Sequence, residues 1–361
     1  MITDRRNYDA EMDDLELNPR ILAACKKVNF ASFSTILSLS SADLGRRTKL
    51  PANDVRTLLH TVSEKVYTNP SATALELYHG TCHQSLRVSC LRTGCEVLDG
   101  FLRGGILTPG ITEIAGESAA GKTQLCMQLC LSVQRSTENG GLAGGAVYIC
   151  TEDVFPSKRL HQLIQNFQKK LDATECRQLK LGDNIFIEHL SEIDQLVHCI
   201  QYRIPLLLKQ SQVKLIVVDS VAALFRCEFS PGEAAKRAKR LQSLGAQLHR
   251  LSRLHHVPVI CVNQVTANMS SGSLNPNQRQ LIPALGLAWS NLIQTRLMLG
   301  RTAYKLSSGD AVCPPRPEDA TQTQAGTDEV PVRSMEVVFA PHLPNDTCYF
   351  VVEAAGVRGL R

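Results

Sequence analysis

An eight-residue stretch, GESAAGKT at residues 116–123, limits the possible folds of this chain more than any other segment. It has the spacing Gly-x-x-x-x-Gly-Lys-Thr, and it lies between a short apolar run, ITEIA, and a helical pattern, QLCMQLCLSV. A glycine-rich loop that joins a strand to a helix directs backbone amides and the positive end of the helix dipole at a phosphate group. An ordinary glycine-rich turn is the alternative, but such a turn does not require a strand before it and a helix after it. The stretch therefore predicts a P-loop that binds a nucleotide.

The residues of this loop have different predicted roles. Gly116 and Gly121 permit the tight backbone path. Lys122 would contact the β- and γ-phosphates, and the hydroxyl of Thr123 would be a ligand of Mg²⁺. We expect nucleotide contacts along the whole loop and the start of the helix, from Gly116, Glu117, Ser118, Ala119, Ala120, Gly121, Lys122, Thr123 and Gln124.

Beyond residue 110 the chain alternates short β-rich runs with longer helical patterns. Strands are predicted at ITEIA, AVYICT, IFIEHL, KLIVVD and PVICVN. This alternation indicates βαβ units and an α/β fold, in which helices cover both faces of a mostly parallel, twisted sheet. The run LIVVD is predicted to lie at the centre of the sheet. Further strands at LIQTRLML, MEVVFA and CYFVVE are predicted to be antiparallel and at its edge.

The length of 361 residues is that of two domains. Residues 1–67 carry short helical patterns, with Asn18 as a predicted N-cap and Pro19 at the first helical position, and they predict a small all-α domain. Residues 68–90 are predicted to be a linker and residues 91–361 the α/β domain. A segment at about 305–333 is rich in Pro, Ser, Thr, Gln and Asp, and we expect a flexible insertion there.

Polar side chains follow three of the predicted strands. Asp219 ends KLIVVD, Glu152 follows AVYICT, and Gln264 follows PVICVN. Because the carboxyl ends of parallel strands meet at one edge of a sheet, we expect these side chains beside the P-loop. Asp219 would orient the Mg²⁺ shell, Glu152 would polarise an attacking water, and Gln264 would contact the γ-phosphate. Each could instead be a turn residue, a surface acid or a strand cap.

Two segments are candidates for contact with a substrate. The stretch at about 265–283 is polar and too long for a simple connection. The stretch at about 226–240 carries a run of basic residues at the start of a helix whose apolar face contains Leu241, Leu244, Leu248 and Leu251. A run of charges is either a solvated helix face or a site for nucleic-acid phosphates, and the sequence favours neither. The basic residues are Lys236, Arg237, Lys239 and Arg240.

Composition excludes several classes of protein. Hydrophobic residues make up 43% of the chain and charged residues 20%, and no apolar run approaches the roughly 20 residues that span a bilayer. The N-terminal residues have no apolar segment typical of a secretory signal, so we expect an intracellular protein with no membrane partner. The thirteen cysteines are scattered through predicted core elements, which indicates free thiols. The net charge of +5 permits an anionic partner without requiring one.

Five segments in order carry a family resemblance: GITEIAGESAAGKTQLCMQLCLSVQ, GAVYICTEDVFPSKRL, KLIVVDSVAALFR, VPVICVNQVT and LGLAWSNLIQTRLML. By these segments the chain resembles the RecA/RadA strand-exchange recombinases, specifically their eukaryotic paralogues, over about residues 85–358. The stretch LELNPRILAACKKVNFASFSTILSLSSADL is similar to the N-terminal helical domain of that family.

The resemblance implies a RecA-like P-loop ATPase core and an ATP-binding subunit that acts in homologous-recombination repair of DNA double-strand breaks. It implies ATP and Mg²⁺ as cofactors, single-stranded and branched DNA as ligands, and another RecA-like paralogue as partner in a heterodimer or larger complex. We expect a DNA-dependent ATPase with slow, partner-dependent hydrolysis, in the nucleus and also the cytoplasm. The alternative is a non-hydrolysing mediator subunit in which ATP holds the interface together.

The resemblance also assigns individual residues. Arg159 matches the arginine whose guanidinium plane stacks on adenine, and Lys122, Thr123, Glu152, Asp219 and Gln264 match the phosphate, Mg²⁺, water-activating and sensor positions. The stretches at about 226–240 and 265–283 match the paired DNA-binding loops of the family. DNA contacts are therefore expected from Arg226, Lys236, Arg237, Lys239, Arg240 and Arg279.

Three departures from the family pattern change what we expect. Ser71 stands where filament-forming recombinases have an anchoring Phe, which favours a small heteromer or a filament end over self-polymerisation. The stretch RRTKLPAND replaces the glycines of the DNA-gripping hairpin, so we expect little DNA contact from the N-terminal domain. Phe339 replaces an acid that caps the neighbour's ATP, and we expect altered capping.

Overall fold

The chain consists of two compact units. They comprise Met1–Arg87 and Val88–Arg361. The computed structural model describes residues 12, 15–30, 32–66, 71–83, 86–210, 213–267, 281–307 and 329–361. No helix in these residues combines the length and the apolar character that a membrane crossing needs.

The first unit is helical in its described part. Asn18 caps the first helix by accepting a hydrogen bond from the Arg20 amide at 3.0 Å, and Pro19 occupies the first helical position, as the sequence predicts. Ser32 and Ser40 cap the next two helices in the same way. The helices are α1 (Pro19–Val28), α2 (Phe33–Leu37), α3 (Ser41–Thr48), α4 (Ala52–Val66) and α5 (Ala74–His79). The apolar faces of α1 to α4 form one core that includes Ile21, Ile36, Leu44 and Leu58, whereas α5 buries no side chain.

The second unit is an α/β domain. Its strands are β1 (Ser89–Leu91), β2 (Ile106–Thr108), β3 (Gly110–Gly116), β4 (Gly145–Cys150), β5 (Ile185–His189), β6 (Val213–Asp219), β7 (Pro258–Asn263), β8 (Val265–Ala267), β9 (Leu281–Pro283), β10 (Thr295–Ser307), β11 (Glu329–Phe339), β12 (Thr347–Glu353) and β13 (Gly356–Gly359). Its helices are α6 (Glu96–Phe101), α7 (Lys122–Ser132), α8 (Ser157–Gln168), α9 (Ala173–Gln178), α10 (Ile193–His198), α11 (Ile204–Gln210), α12 (Val221–Cys227), α13 (Ala234–His255) and α14 (Leu287–Ser290). A π-turn, Cys199–Arg203, joins α10 to α11.

The main sheet has nine strands in the order β13-β12-β11-β10-β3-β7-β6-β4-β5. The strands from β10 to β5 are parallel, and β10, β11, β12 and β13 pair antiparallel. The predicted α/β class and mostly parallel sheet are confirmed. Two details of the prediction are wrong, because β10 is parallel to β3 on one side and β3, not β6, occupies the middle position.

Both faces of the sheet are covered, because the parallel strands are apolar on both sides. One core includes Leu125 and Leu129 of α7, and the other includes Leu244 and Leu248 of α13. Every cysteine in the described residues has a free thiol, and burial raises the pKa of the thiols of Cys126, Cys130 and Cys261.

The predicted insertion at 305–333 is too wide at both ends. Residues 305–307 belong to β10 and residues 329–333 to β11, whose apolar side chains Leu306, Val330 and Val332 pack in a small core of their own. The composition of the segment is polar on average and therefore does not reveal these strand ends. Apolar residues at alternate positions are enough to form a strand. The remainder of the predicted insertion lies outside the described residues.

Candidate active site

A cleft of about 1460 Å³ lies at the carboxyl edge of the parallel strands. β3, β7, β6 and β4 are neighbours in the sheet, so the residues that follow them meet at this edge. The cleft is lined by Glu152, Arg159, Asp219, Gln264 and the P-loop except Ala120, which is fully buried and does not line the cleft as predicted. The structure thus brings together the P-loop residues and the polar residues that the sequence analysis predicted after three strands.

The P-loop turns from β3 directly into α7. A Cβ on Gly116 would come within 2.2 Å of the Leu299 carbonyl, so only glycine fits there, and Gly121 has φ +100° as the N-cap of α7. No side chain caps this helix, which leaves the first amides of α7 directed at the cleft. Lys122 Nζ donates to the carbonyls of Gly116 at 2.7 Å and Glu117 at 2.6 Å.

Asp219 ends β6 and accepts two hydrogen bonds on one oxygen. Thr123 Oγ1 donates to Asp219 Oδ2 at 2.7 Å and the Tyr148 hydroxyl at 2.6 Å. Burial raises the pKa of Asp219, and these two hydrogen bonds oppose the rise. A hydroxyl beside a carboxylate is the hard oxygen donor set that Mg²⁺ prefers, so Thr123 and Asp219 fit the predicted ion.

Lys122 lines the cleft and interacts through its charge with Asp219 and Glu152. Burial lowers the pKa of its ammonium, while the negative charges of Asp219 and Glu152 oppose the decrease. A half-buried ammonium beside helix amides that no side chain caps is suited to anionic phosphate oxygens.

Glu152 and Gln264 contact each other across the edge of the sheet. Gln264 Nε2 donates to Glu152 Oε1 at 2.7 Å, and the hydroxyl of Ser220 donates to the same oxygen. Arg226 Nη1 donates to Gln264 Oε1 at 2.6 Å. The carboxylate and the amide thus lie in contact with each other in the cleft that Lys122 also lines.

Arg159, in the first turn of α8, uses four of its five N–H donors in hydrogen bonds along the edge of the guanidinium. Nε donates to Gln124 Oε1 at 2.7 Å, Nη2 to the Glu353 carbonyl at 2.6 Å and Nη1 to the Ala354 carbonyl at 3.0 Å. Nη1 also donates to Gln162. With its edge occupied, the guanidinium offers its flat faces to a ligand, which fits stacking on a base.

The basic residues around α13 do not act as one group. Arg237 donates to the Phe225 carbonyl at 3.0 Å and the Ala284 carbonyl at 3.2 Å, so its guanidinium holds backbone segments together. Arg240 pairs with Asp194 at 3.1 Å and Lys236 with Glu233 at 3.1 Å, whereas Lys239 is exposed. Arg279 lies outside the described residues.

The second predicted loop has ordered ends. Val265–Ala267 and Leu281–Pro283, the two ends of the candidate segment at 265–283, form a two-stranded antiparallel ribbon, and residues 268–280 lie outside the described residues. β-branched and apolar residues allow this pairing directly after Gln264.

Sequence analysis did not find three residues of the site. Tyr148 and Ser220 bind the two predicted carboxylates, and Arg333 Nε donates to the Ala119 carbonyl of the P-loop at 3.0 Å. Ser220 follows Asp219 directly and Tyr148 lies in the strand before Glu152, so proximity to the motifs was the available signal. Arg333 is distant in sequence from every motif, so the sequence contains no signal that would identify it.

A family model described as Rad51 matches residues 84–313, which is more than half of the chain. The chain belongs to the Rad51 family. A second model, described as XRCC3/RpoA-like, helix-hairpin-helix domain, matches residues 12–66 in the helical unit. These matches confirm the predicted resemblance and the RecA-like core preceded by a helical region.

Proteins with curated names are similar to this chain, two of them over nearly its whole length. DNA repair protein XRCC3 of Bos taurus is 43% identical over 97% of this chain and 98% of its own length. DNA repair protein XRCC3 of Mus musculus is 44% identical over 97% of this chain and 98% of its own length. DNA repair protein rhp57 of Schizosaccharomyces pombe is 30% identical over 77% of this chain and 84% of its own length. These relatives are DNA repair proteins of the Rad51 family.

Proposed function

We propose that this chain is an ATP-binding Rad51-family paralogue that acts in homologous-recombination repair, binds single-stranded or branched DNA and works in a complex with another paralogue. The observation that carries the proposal is the convergence of Lys122, Thr123, Asp219, Glu152 and Gln264 at one edge of the sheet. The relatives named as DNA repair proteins support the biological setting, which we place in the nucleus and the cytoplasm.

The residues of the cleft have distinct roles in ATP hydrolysis. Bound Mg²⁺ would neutralise charge on the β- and γ-phosphates. Thr123 and Asp219 would hold it, Lys122 would leave the loop carbonyls for the phosphates, and Arg159 would stack on the adenine. Glu152 would accept the proton of the attacking water, and Gln264 would donate to the γ-phosphate. Hydrolysis is DNA-dependent because Gln264 directly precedes the β8–β9 ribbon, which leads into the predicted DNA loop.

The test is phosphate release by the purified chain, with and without single-stranded DNA, beside Lys122→Ala. We expect slow release that DNA stimulates, and loss of nucleotide binding and release in the variant, because the ammonium that neutralises the phosphates is gone. Equal release by the two proteins would contradict the proposal, since the activity would then come from a contaminant or another site.

A second function, ATP as an interface ligand in a non-hydrolysing mediator, is favoured by the size of the cleft. Its volume of about 1460 Å³ exceeds the roughly 300–1,000 Å³ of ordinary ligand pockets, which leaves room for a partner surface beside the nucleotide. In this case Lys122→Ala would release the partner paralogue as well as ATP, and sedimentation of the mixed chains with and without nucleotide separates the two functions.

A further inference from the structure

One short helix contacts both members of the predicted catalytic pair. α12 begins after its N-cap, Ser220, whose hydroxyl donates to Glu152 Oε1. Its last turn carries Arg226, whose Nη1 donates to Gln264 Oε1 at 2.6 Å. Gln264 Nε2 completes a ring by donating to Glu152 Oε1 at 2.7 Å.

Arg226 determines which way the Gln264 amide points. A guanidinium has only donors, so it must face the amide oxygen, and the amide nitrogen is then directed at Glu152. Hydrogen bonds to a charged donor are about twice as strong as neutral ones, so Arg226 holds this orientation against rotation.

The ring opposes both predicted catalytic roles. Glu152 Oε1 accepts hydrogen bonds from Gln264 and Ser220, so this oxygen is occupied by protein donors rather than by an attacking water. The amide hydrogens that face Glu152 also cannot donate to a γ-phosphate. Both groups therefore gain function when Gln264 rotates away from Glu152.

The position of Arg226 suits it to a polyanion. Its side chain is exposed, and the neighbouring Arg237 is fixed by the Phe225 and Ala284 carbonyls. Burial lowers the pKa of Arg237, and the like charge of Arg226 lowers it further because the two cations repel each other. A phosphodiester would relieve this repulsion and compete for the guanidinium with the neutral amide oxygen.

We propose that Arg226 is a positioning residue that holds Gln264 on Glu152, and that a DNA phosphodiester binds Arg226 and releases Gln264 to the γ-phosphate. The inference rests on the proposed ATP- and DNA-binding function, which it deepens by naming the residue through which DNA reaches the nucleotide.

The test measures equilibrium binding of a non-hydrolysable ATP analogue and of ADP, each with and without oligothymidylate, so it does not depend on turnover. In the unmodified chain we expect oligothymidylate to tighten binding of the analogue about fivefold and to leave ADP unchanged, because ADP has no γ-phosphate. In Arg226→Met we expect the analogue to bind about fivefold more tightly without DNA, and DNA to add little. Arg226→Lys should restore part of the DNA effect.

Arg250→Gln is the matched control, since it removes an exposed positive charge from α13 without contacting Gln264. It should keep the DNA-dependent tightening. If Arg226→Met keeps that tightening too, or the unmodified chain shows none, the inference is overturned. Failure of the proposed function looks different, because Lys122→Ala would then bind both nucleotides as the unmodified chain does.

Discussion

Lys122 and Asp219 are charged groups that the fold buries at a cost. Burial lowers the pKa of Lys122 and raises the pKa of Asp219, so each is displaced toward its neutral form. The hydrogen bonds from Thr123 and Tyr148 offset only part of the effect on Asp219. Displaced pKa values of this kind are typical of sites where binding, rather than stability, has determined the residue.

Asp219→Asn should therefore stabilise the protein in the absence of nucleotide. A folded-state pKa above the unfolded-state value means that the ionised carboxylate destabilises the fold at neutral pH, and that this penalty disappears below the unfolded-state pKa. We expect the melting temperature of the variant to be a few degrees higher at pH 7.5, and the difference to shrink as the pH falls.

The same variant should lose the stabilisation that Mg²⁺ and ATP give, because the amide is a poorer ligand. Thermal melting across pH, with and without Mg²⁺ and ATP, measures both effects. A variant that melts below the unmodified protein at pH 7.5 would show that the two hydrogen bonds outweigh the burial of charge.

At the residue scale, the sequence predicted side chains that stand at motif positions and missed those whose role depends on tertiary contact. Asp219, Glu152 and Gln264 follow strands that parallel pairing brings to one edge. Arg237 looked like its basic neighbours, yet only the fold shows the two carbonyls to which it donates. The amino-acid sequence alone does not distinguish a charged side chain in solvent from one that is held by backbone carbonyls.

At the element scale, α13 has a buried apolar face and a basic first half with mixed roles. Leu241, Leu244, Leu248 and Leu251 are buried, as their spacing predicts. The order of the strands was harder to predict, because β10 has parallel pairing on one side and antiparallel pairing on the other. Register and neighbours depend on contacts between distant segments, which periodicity does not contain.

Substitutions of the basic residues of α13 should distinguish side chains that contact DNA from side chains that stabilise the fold. For Lys236→Glu with Lys239→Glu we expect weaker binding of single-stranded DNA and a salt slope lower by about 0.7 for each lost phosphate contact, with an unchanged melting temperature. Arg237→Gln should lower the melting temperature instead, because two backbone carbonyls lose their donor. A salt slope that stays the same in the double variant would assign both lysines to solvent.

At the scale of the whole α/β domain, one buried polar network joins the parallel and antiparallel parts of the sheet. Glu113 of β3 is fully buried and accepts from Asn263 of β7 at 2.7 Å and Trp289 of α14 at 2.8 Å. It also pairs with Arg296 of β10, whose guanidinium lies 5.1 Å from the ring centroid of Phe339 on β11. Phe339, the residue that replaces the family's capping acid, thus has a role within its own chain.

Replacing one partner of the Glu113–Arg296 ion pair should lower the free energy of unfolding more than replacing both partners. Arg296→Met leaves the Glu113 carboxylate buried without its cation, and we expect a loss of about 3–5 kcal/mol in the free energy of unfolding. The double variant Arg296→Met with Glu113→Leu should recover much of that loss, because no uncompensated charge remains. Arg301→Met, an exposed site on the same strand, is the control and should change the free energy by less than about 0.5 kcal/mol.

Urea unfolding of the four proteins, the unmodified chain and the three variants, measures these differences at pH 7. Asn263 precedes Gln264 directly at the carboxyl end of β7. Asn263 donates to Glu113, and Gln264 donates to Glu152. We therefore expect the double variant to fold but to bind the ATP analogue with a weaker response to DNA. If the double variant is as unstable as Arg296→Met, the hydrogen bonds from Asn263 and Trp289, rather than the ion pair, hold the two parts of the sheet together.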